Sequence, residues 1–273
     1  MMNNNVSPSS ASLPPEFLAR LITELDDEKV RAIILHGSYV RGEAIAPYSD
    51  VDIVRILYEG PGSTEHKQFL YRDGRFISVS SRPLSLYRER FSRPEKAIFI
   101  LPGIREAHIL LEKDDAFRTL QQEALSWSWG PLQTAANTYA GQRLVEQTEI
   151  VLKMLRALML HDSIALSDML HDLFSAITEA VAVQRGVLIR SGNTYFHQVQ
   201  EAMGSQSLWT HYHLHAAGID PLSTTIEERG KTALLLYEET ARILRPDMST
   251  EHWALVSQAL CLIEQALSQK EIR

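Results

Sequence analysis

The residues best suited to chemistry lie in one stretch, HGSYVRGEAIAPYSDVDIVRI, residues 36–56. Gly37-Ser38 follows a short apolar run and precedes a helical turn. Glycine lets backbone N–H groups approach a ligand closely, and a helix start favours anions. Ser38 adds a hydroxyl, so the pair suits the β- and γ-phosphates of a nucleoside triphosphate. Arg41 shares a helical face with Ser38 and can add a charge-assisted phosphate contact. Asp50 and Asp52 are two apart on a strand, which turns both carboxylates to one face. Like charges held so close call for a cation, and Mg²⁺ commonly takes one or two carboxylates plus phosphate oxygens and waters. The stretch therefore predicts a metal opposite a phosphate loop, as attack on an α-phosphate with loss of pyrophosphate requires. A lone Gly-Ser or Asp-x-Asp carries no such weight. The ordered combination, with Pro47-Tyr48-Ser49 leading into Asp50-Val51-Asp52, does.

Positioning these groups takes short strands and helices. PPEFLARLITEL carries prolines at a helix start and then an apolar stripe, Phe17, Leu18, Leu21, Ile22 and Leu25. RAIILH (31–36) reads as a buried strand entering a tight turn, and DVDIVRILY (50–58) as a second strand. FLYRDGRFISVS gives two strands around Asp73-Gly74, a strong hairpin signal. AHILLE near Leu110 suggests another strand, and DDAFRTLQQEAL a helix. Beyond Trp129-Gly130-Pro131 the strands stop and apolar residues recur at helical spacing over long segments. SGN (191–193), DPLST and RPDMST read as linkers, the last two ending in residues suited to N-caps. The expected fold class is α+β, a small mixed-sheet domain over 15–128 followed by a helical bundle over 129–273. Residues 1–14, rich in Asn, Ser and Pro, read as a disordered tail.

The 273 residues suffice for one large domain or two ordinary ones, and an apolar fraction of 45% with 22% charged is ordinary for a soluble protein. A net charge of −7 weighs against broad nucleic-acid binding and suits a small or cationic substrate better. Cys261 is the one cysteine, which excludes an intramolecular disulfide; its apolar helical setting reads as a buried core thiol. No apolar run reaches the ~18 residues of a membrane span. The first residues lack the basic start and apolar stretch of a signal peptide, so a cytoplasmic location is expected. His211, His213 and His215 alternate in HYHLH, but no acid or cysteine at ligand spacing accompanies them.

Gly-Ser followed by a spaced Asp-x-Asp resembles the signature of the DNA polymerase β-like nucleotidyltransferase superfamily. Within it, GSYVRGEAIAPYSDVDIV is most similar to the aminoglycoside (kanamycin) nucleotidyltransferases, where Gly-Ser-x-x-Arg also leads into Pro-Tyr-Ser-Asp. The resemblance is specific over residues 33–54, fits in layout to about Leu125, and is only architectural beyond. It implies that Gly37, Ser38, Arg41 and Ser49 contact the nucleotide and that Asp50 and Asp52 hold Mg²⁺. It further implies ATP or another triphosphate as substrate, transfer to a hydroxyl of a small aminoglycoside-like acceptor, and a homodimer.

Two features depart from that pattern. The superfamily places a third carboxylate on a neighbouring strand, yet GRFISVSS (74–81) holds no acid; Ser78 falls closest to the expected place, and Asp73 belongs to a solvent-facing turn. Kanamycin-type enzymes take their general base from a glutamate on the first long helix after the α/β domain. RLVEQTEIVLKM offers Glu146 and Glu149 on one face, with Glu146 slightly preferred, although both also read as solvated helix residues. The missing acid keeps open a nucleotide-binding or regulatory protein without turnover. Arg156 and His161, an Arg-x-x-x-x-His pair on a long helix, resemble helical ribonuclease domains that partner small nucleotidyltransferases and keep open a toxin–antitoxin protein acting on RNA.

Overall fold

The computed structural model of the chain describes residues 12–61, 63–219 and 225–268. It divides into two compact units: the first runs to Ser128 and adds Ile189–Asn193, and the second takes Trp129–Leu188 and the residues from Thr194 onward. Most of the expected tail, residues 1–11, and the DPLST linker lie outside the described residues.

The first unit is built on a five-stranded mixed sheet in the order β3-β4-β2-β1-β5. Its strands are β1 (Val30–His36), β2 (Val51–Leu57), β3 (His66–Arg72), β4 (Arg75–Pro83) and β5 (His108–Glu112). Only β2 and β4 run parallel; β1 pairs antiparallel with both β2 and β5, and β3 with β4. The β3–β4 turn is Asp73-Gly74, both at positive φ (50° and 73°), as a two-residue hairpin of right-twisted strands demands. Helix α1 (Pro15–Leu25) presents Phe17, Leu21 and Leu25, four residues apart, to one sheet face. There they meet Val30, Ile33, Leu35, Val51, Ile53, Ile77 and Val79 in one cluster. The alternate residues Ala32, Ile34 and Ile56 are also buried, so β1 reads as a continuous apolar run because both of its faces are covered.

After a four-residue helix, α2 (Ser38–Arg41), the unit adds α3 (Leu84–Phe91), α4 (Pro94–Glu106) and α5 (Ala116–Ser126). Helix α4 has prolines at both its start and its interior. Pro94 occupies the first turn, where its missing N–H costs nothing, whereas Pro102 removes the donor that would have met the carbonyl of Ile98. A buried carbonyl rarely stays unpaired, and this one accepts from the backbone N–H of Ile189 at 2.7 Å. That bond ties the returning segment Ile189–Asn193 to the α/β unit. The expectation that 191–193 is a linker within the helical half is corrected accordingly.

The second unit is helical: α6 (Gln133–Leu160), α7 (Ser163–Gln184), α8 (Tyr195–Met203), α9 (Leu208–Ala217), α10 (Ile226–Leu244) and α11 (Thr250–Ser268). Caps set its boundaries. Asp162 accepts from Ala165 at the start of α7, Thr225 and Glu228 form a reciprocal capping box on α10, and Ser249 of RPDMST accepts from His252 at 3.1 Å. The reading of Cys261 as a buried core thiol needs correction. Cys261 is exposed, because α11 buries Val256, Ala259 and Ile263 and residue 261 falls off that stripe. HYHLH lies on α9, where a two-residue spacing points side chains to different sides. His213 alone is fully buried, stacked on Trp209 and bonded through both ring nitrogens, to Thr178 at 2.9 Å and Gln200 at 2.8 Å. Burial pushes its pKa down to about 4, as suits a neutral core histidine. No helix among the described residues is long and apolar enough to cross a membrane.

Candidate active site

At one end of the sheet the apolar alternation gives way to three polar residues in a row. His36 on β1 is in register with Asp52 on β2, and Asp52 with Ser78 on β4, so the three side chains share a face. Beyond His36 the chain turns at Gly37, with φ +79°, into α2. A Cβ at Gly37 would collide with the Asp52 carboxylate, so only glycine allows the turn to lie against it. Gly37 accepts from the N–H groups of Val40 and Arg41 at 3.2 and 3.3 Å, which fixes the turn over the strand end.

Asp50 stands exposed just ahead of β2, and Asp52 is partly buried at its start. Burial, reinforced by the neighbouring Asp50 charge, raises the Asp52 pKa to about 6, while Lys67 and Arg41 pull the other way. His36 moves oppositely, down to about 4, through burial and the nearby cations Arg82, Arg41 and Lys67. The row thus offers a neutral imidazole beside a carboxylate that carries its charge at a cost. Ser78, 3% exposed, occupies the place across from Asp52 where the third acid was expected. Asp73 is held at the hairpin by Arg20, away from this row. Among the described residues no group of three or more His, Cys, Asp or Glu side chains could hold a metal; the acidic set is the pair Asp50 and Asp52.

A cleft of about 260 Å³ opens beside the turn, lined by Gly37, Ser38, Arg41, Asp50 and Asp52, with His36 at its wall. The lining also includes Phe99 and Gly103 of α4 and Arg190 to Asn193 of the returning segment. The Arg41 side chain is largely buried; its Nε donates to Glu43 at 2.7 Å and its Nη1 lies 3.7 Å from Glu106 Oε2. Ser49, expected beside the nucleotide, does not line the cleft: its hydroxyl accepts from the Ile45 N–H at 2.9 Å and closes the loop before Asp50. The returning segment was not identified as part of the site from sequence. Its signal is Pro102 inside an apolar helix, which implies a freed carbonyl that some distant N–H must satisfy.

Glu146 belongs to the helical unit, on α6, exposed and within 3.3 and 3.4 Å of Gln142 and Arg143 of its own helix. Glu149 pairs with Lys153 at 2.6 Å. Arg156 and His161 do not share a helix. α6 ends at Leu160, and His161 is its left-handed cap (φ 54°), with Nδ1 2.9 Å from Glu227.

Residues 18–101 match the family model of the nucleotidyltransferase domain. A search of curated proteins found no match. Among solved structures, a nucleotidyltransferase-like protein from Exiguobacterium sibiricum 255-15 is similar, with a TM-score of 0.51 and 11% identity over 82% of this chain and 73% of that one. At that identity the likeness is one of fold. The stretch matched by that model holds Gly37, Ser38, Arg41, Ser49, Asp50 and Asp52.

Proposed function

We propose that the protein transfers a nucleoside monophosphate from a triphosphate to a hydroxyl of a small acceptor, with Mg²⁺ bound by Asp50 and Asp52. The observation that carries this reading is the contact between the Gly37 turn and the Asp52 carboxylate, which leaves no room for a Cβ. An anion-binding turn and a carboxylate pair so close serve a ligand that is both polyphosphate and metal-bound. The donor set fits one Mg²⁺: two hard oxygen ligands, one of them with a pKa raised to about 6 by burial and its neighbour's charge, gain from a cation between them. When bound, the ion supplies charge neutralisation to the phosphate oxygens.

The chain's own groups account for the remaining chemistry. The turn's N–H groups, the Ser38 hydroxyl and Arg41 would hold the β- and γ-phosphates and orient the α-phosphate toward the acceptor. Ser49 would contribute indirectly, by shaping the loop that presents Asp50. The acceptor oxygen forms a bond to the α-phosphorus as the bond to pyrophosphate breaks, and the acceptor proton passes to a base. Glu146 is the group proposed for that role. The net charge of −7 suits a cationic, aminoglycoside-like acceptor. ATP and Mg²⁺ in a cytoplasmic setting, and a homodimer, complete the proposal.

Ser78 supports a second reading, nucleotide binding without transfer, because the row that ends in Asp52 holds no third acid. Incubation with α-labelled triphosphates, Mg²⁺ and a panel of aminoglycosides and other polyhydroxylated amines separates the two. Labelled acceptor from wild type, with at least ~10³-fold less from Asp52→Asn, supports transfer. Magnesium-dependent binding with no product from any acceptor supports the second reading.

A further inference from the structure

Part of the cleft's lining comes from residues more than 80 positions beyond the end of α4, and their placement has a traceable cause. Pro102 frees the Ile98 carbonyl, the Ile189 N–H takes it at 2.7 Å, and the next residue, Arg190, donates from Nε to Glu106 Oε1 at 2.6 Å. The other carboxylate oxygen of Glu106 lies 3.7 Å from Arg41 Nη1 and has no hydrogen-bond partner of its own. One glutamate therefore sets two guanidinium groups side by side on the cleft that Gly37, Ser38, Asp50 and Asp52 line.

Charge decides what this arrangement is for. A triphosphate brings about four negative charges, the aspartates add two, and a single Mg²⁺ offsets two of the total. Arg41 is already shared between Glu43 and Glu106. The surplus of negative charge needs another cation on the cleft, preferably a planar fork matched to phosphate oxygens. Arg190 lines the same cleft as Gly37, Ser38 and Arg41, the groups proposed to hold the phosphates.

We propose that Arg190 is a second triphosphate-binding guanidinium, delivered by the returning segment Ile189–Asn193 and held in position by Glu106. This rests on the reading of the cleft as a triphosphate site and adds the residue that completes it. Ser191, Gly192 and Asn193 follow Arg190 in the cleft's lining.

Calorimetry with Mg²⁺ and three probes, inorganic tripolyphosphate, ATP and AMP, tests this on the full chain. Arg190→Ala and Arg190→Gln should each weaken tripolyphosphate and ATP binding by about 10- to 100-fold, the range for a lost hydrogen bond to a charged group. AMP should change far less, a dependence on phosphate number that a general packing defect would not produce. Arg190→Lys, which keeps charge but not the fork, should fall between wild type and Arg190→Ala. The side chain is 59% exposed, so truncation leaves the core intact. Wild-type affinity for ATP and tripolyphosphate in either truncated variant overturns the role of Arg190 alone. Absence of triphosphate binding by the wild type overturns the cleft reading as well.

Discussion

The two units use their charged residues differently. In the α/β unit, Asp52 sits in register with His36 and Ser78, where sheet alternation would otherwise have placed apolar side chains. Each of these polar groups is drawn in against the hydrophobic trend, and the pKa values of Asp52 and His36 move accordingly. In the helical unit the acids near the expected base are exposed and satisfied locally, Glu146 by Gln142 and Arg143 and Glu149 by Lys153. A polar group held at a desolvation cost marks a site far better than one that is solvated and paired along its own helix.

Glu146→Gln is the sharpest way to break that contrast. If Glu146 is the base, kcat for acceptor modification should fall by about 10²-fold or more while triphosphate affinity stays within about twofold. An unchanged kcat would leave the chemistry to the α/β unit alone. Next in size is Gly37→Ala. A positive φ and a collision with Asp52 together should cost about 2 kcal/mol of stability, read by denaturant unfolding, along with magnesium-dependent nucleotide binding. Full stability with full binding would mean the turn does not press on the carboxylate.

Titration sharpens the comparison further. The folded Asp52 pKa is raised, to about 6 from 3.8, so the folded state holds its proton more tightly than the unfolded one does. Stability from this group is therefore present at low pH and is lost as pH rises from about 4 through 6. Magnesium binding needs the ionised form, so its affinity should fall by up to tenfold per pH unit below 6 and level off above. Manganese titrations from pH 5 to 8 give the check; an affinity already flat at pH 5 would contradict the shifted carboxylate. The smallest effect is expected from Ser78→Asp. A third buried acid beside Asp52 should lower Tm without a cation and increase the Mg²⁺-dependent rise in Tm by a few degrees. No added Mg²⁺ response would mean that position 78 does not reach the site.

The sheet, and the strand–turn–strand stretch that lines the candidate cleft, were legible in sequence because their signals are local. RAIILH ends at Gly37, Asp73-Gly74 dictates a hairpin, and Asp52 interrupts an apolar strand. The mixed-sheet α+β architecture with a helical region after it followed from the same patterns. Helix α4 was obscured by Pro94 and Pro102-Gly103, which punctuate an otherwise apolar segment. The returning segment was missed, since three small polar residues between helices look like any linker and its one signal, Pro102, lies in another element. Cys261 was misjudged because helical phase decides which residue is buried, and an apolar composition does not record phase.

The account stands on a divalent ion at Asp50 and Asp52 facing phosphates on the Gly37 turn. A crystal grown with Mn²⁺ and a non-hydrolysable triphosphate, examined by anomalous diffraction, tests this most directly. The account predicts an anomalous peak touching both carboxylates and phosphate oxygens within hydrogen-bond reach of Ser38 and Arg41. Nucleotide bound elsewhere, or a metal that avoids both aspartates, would contradict it.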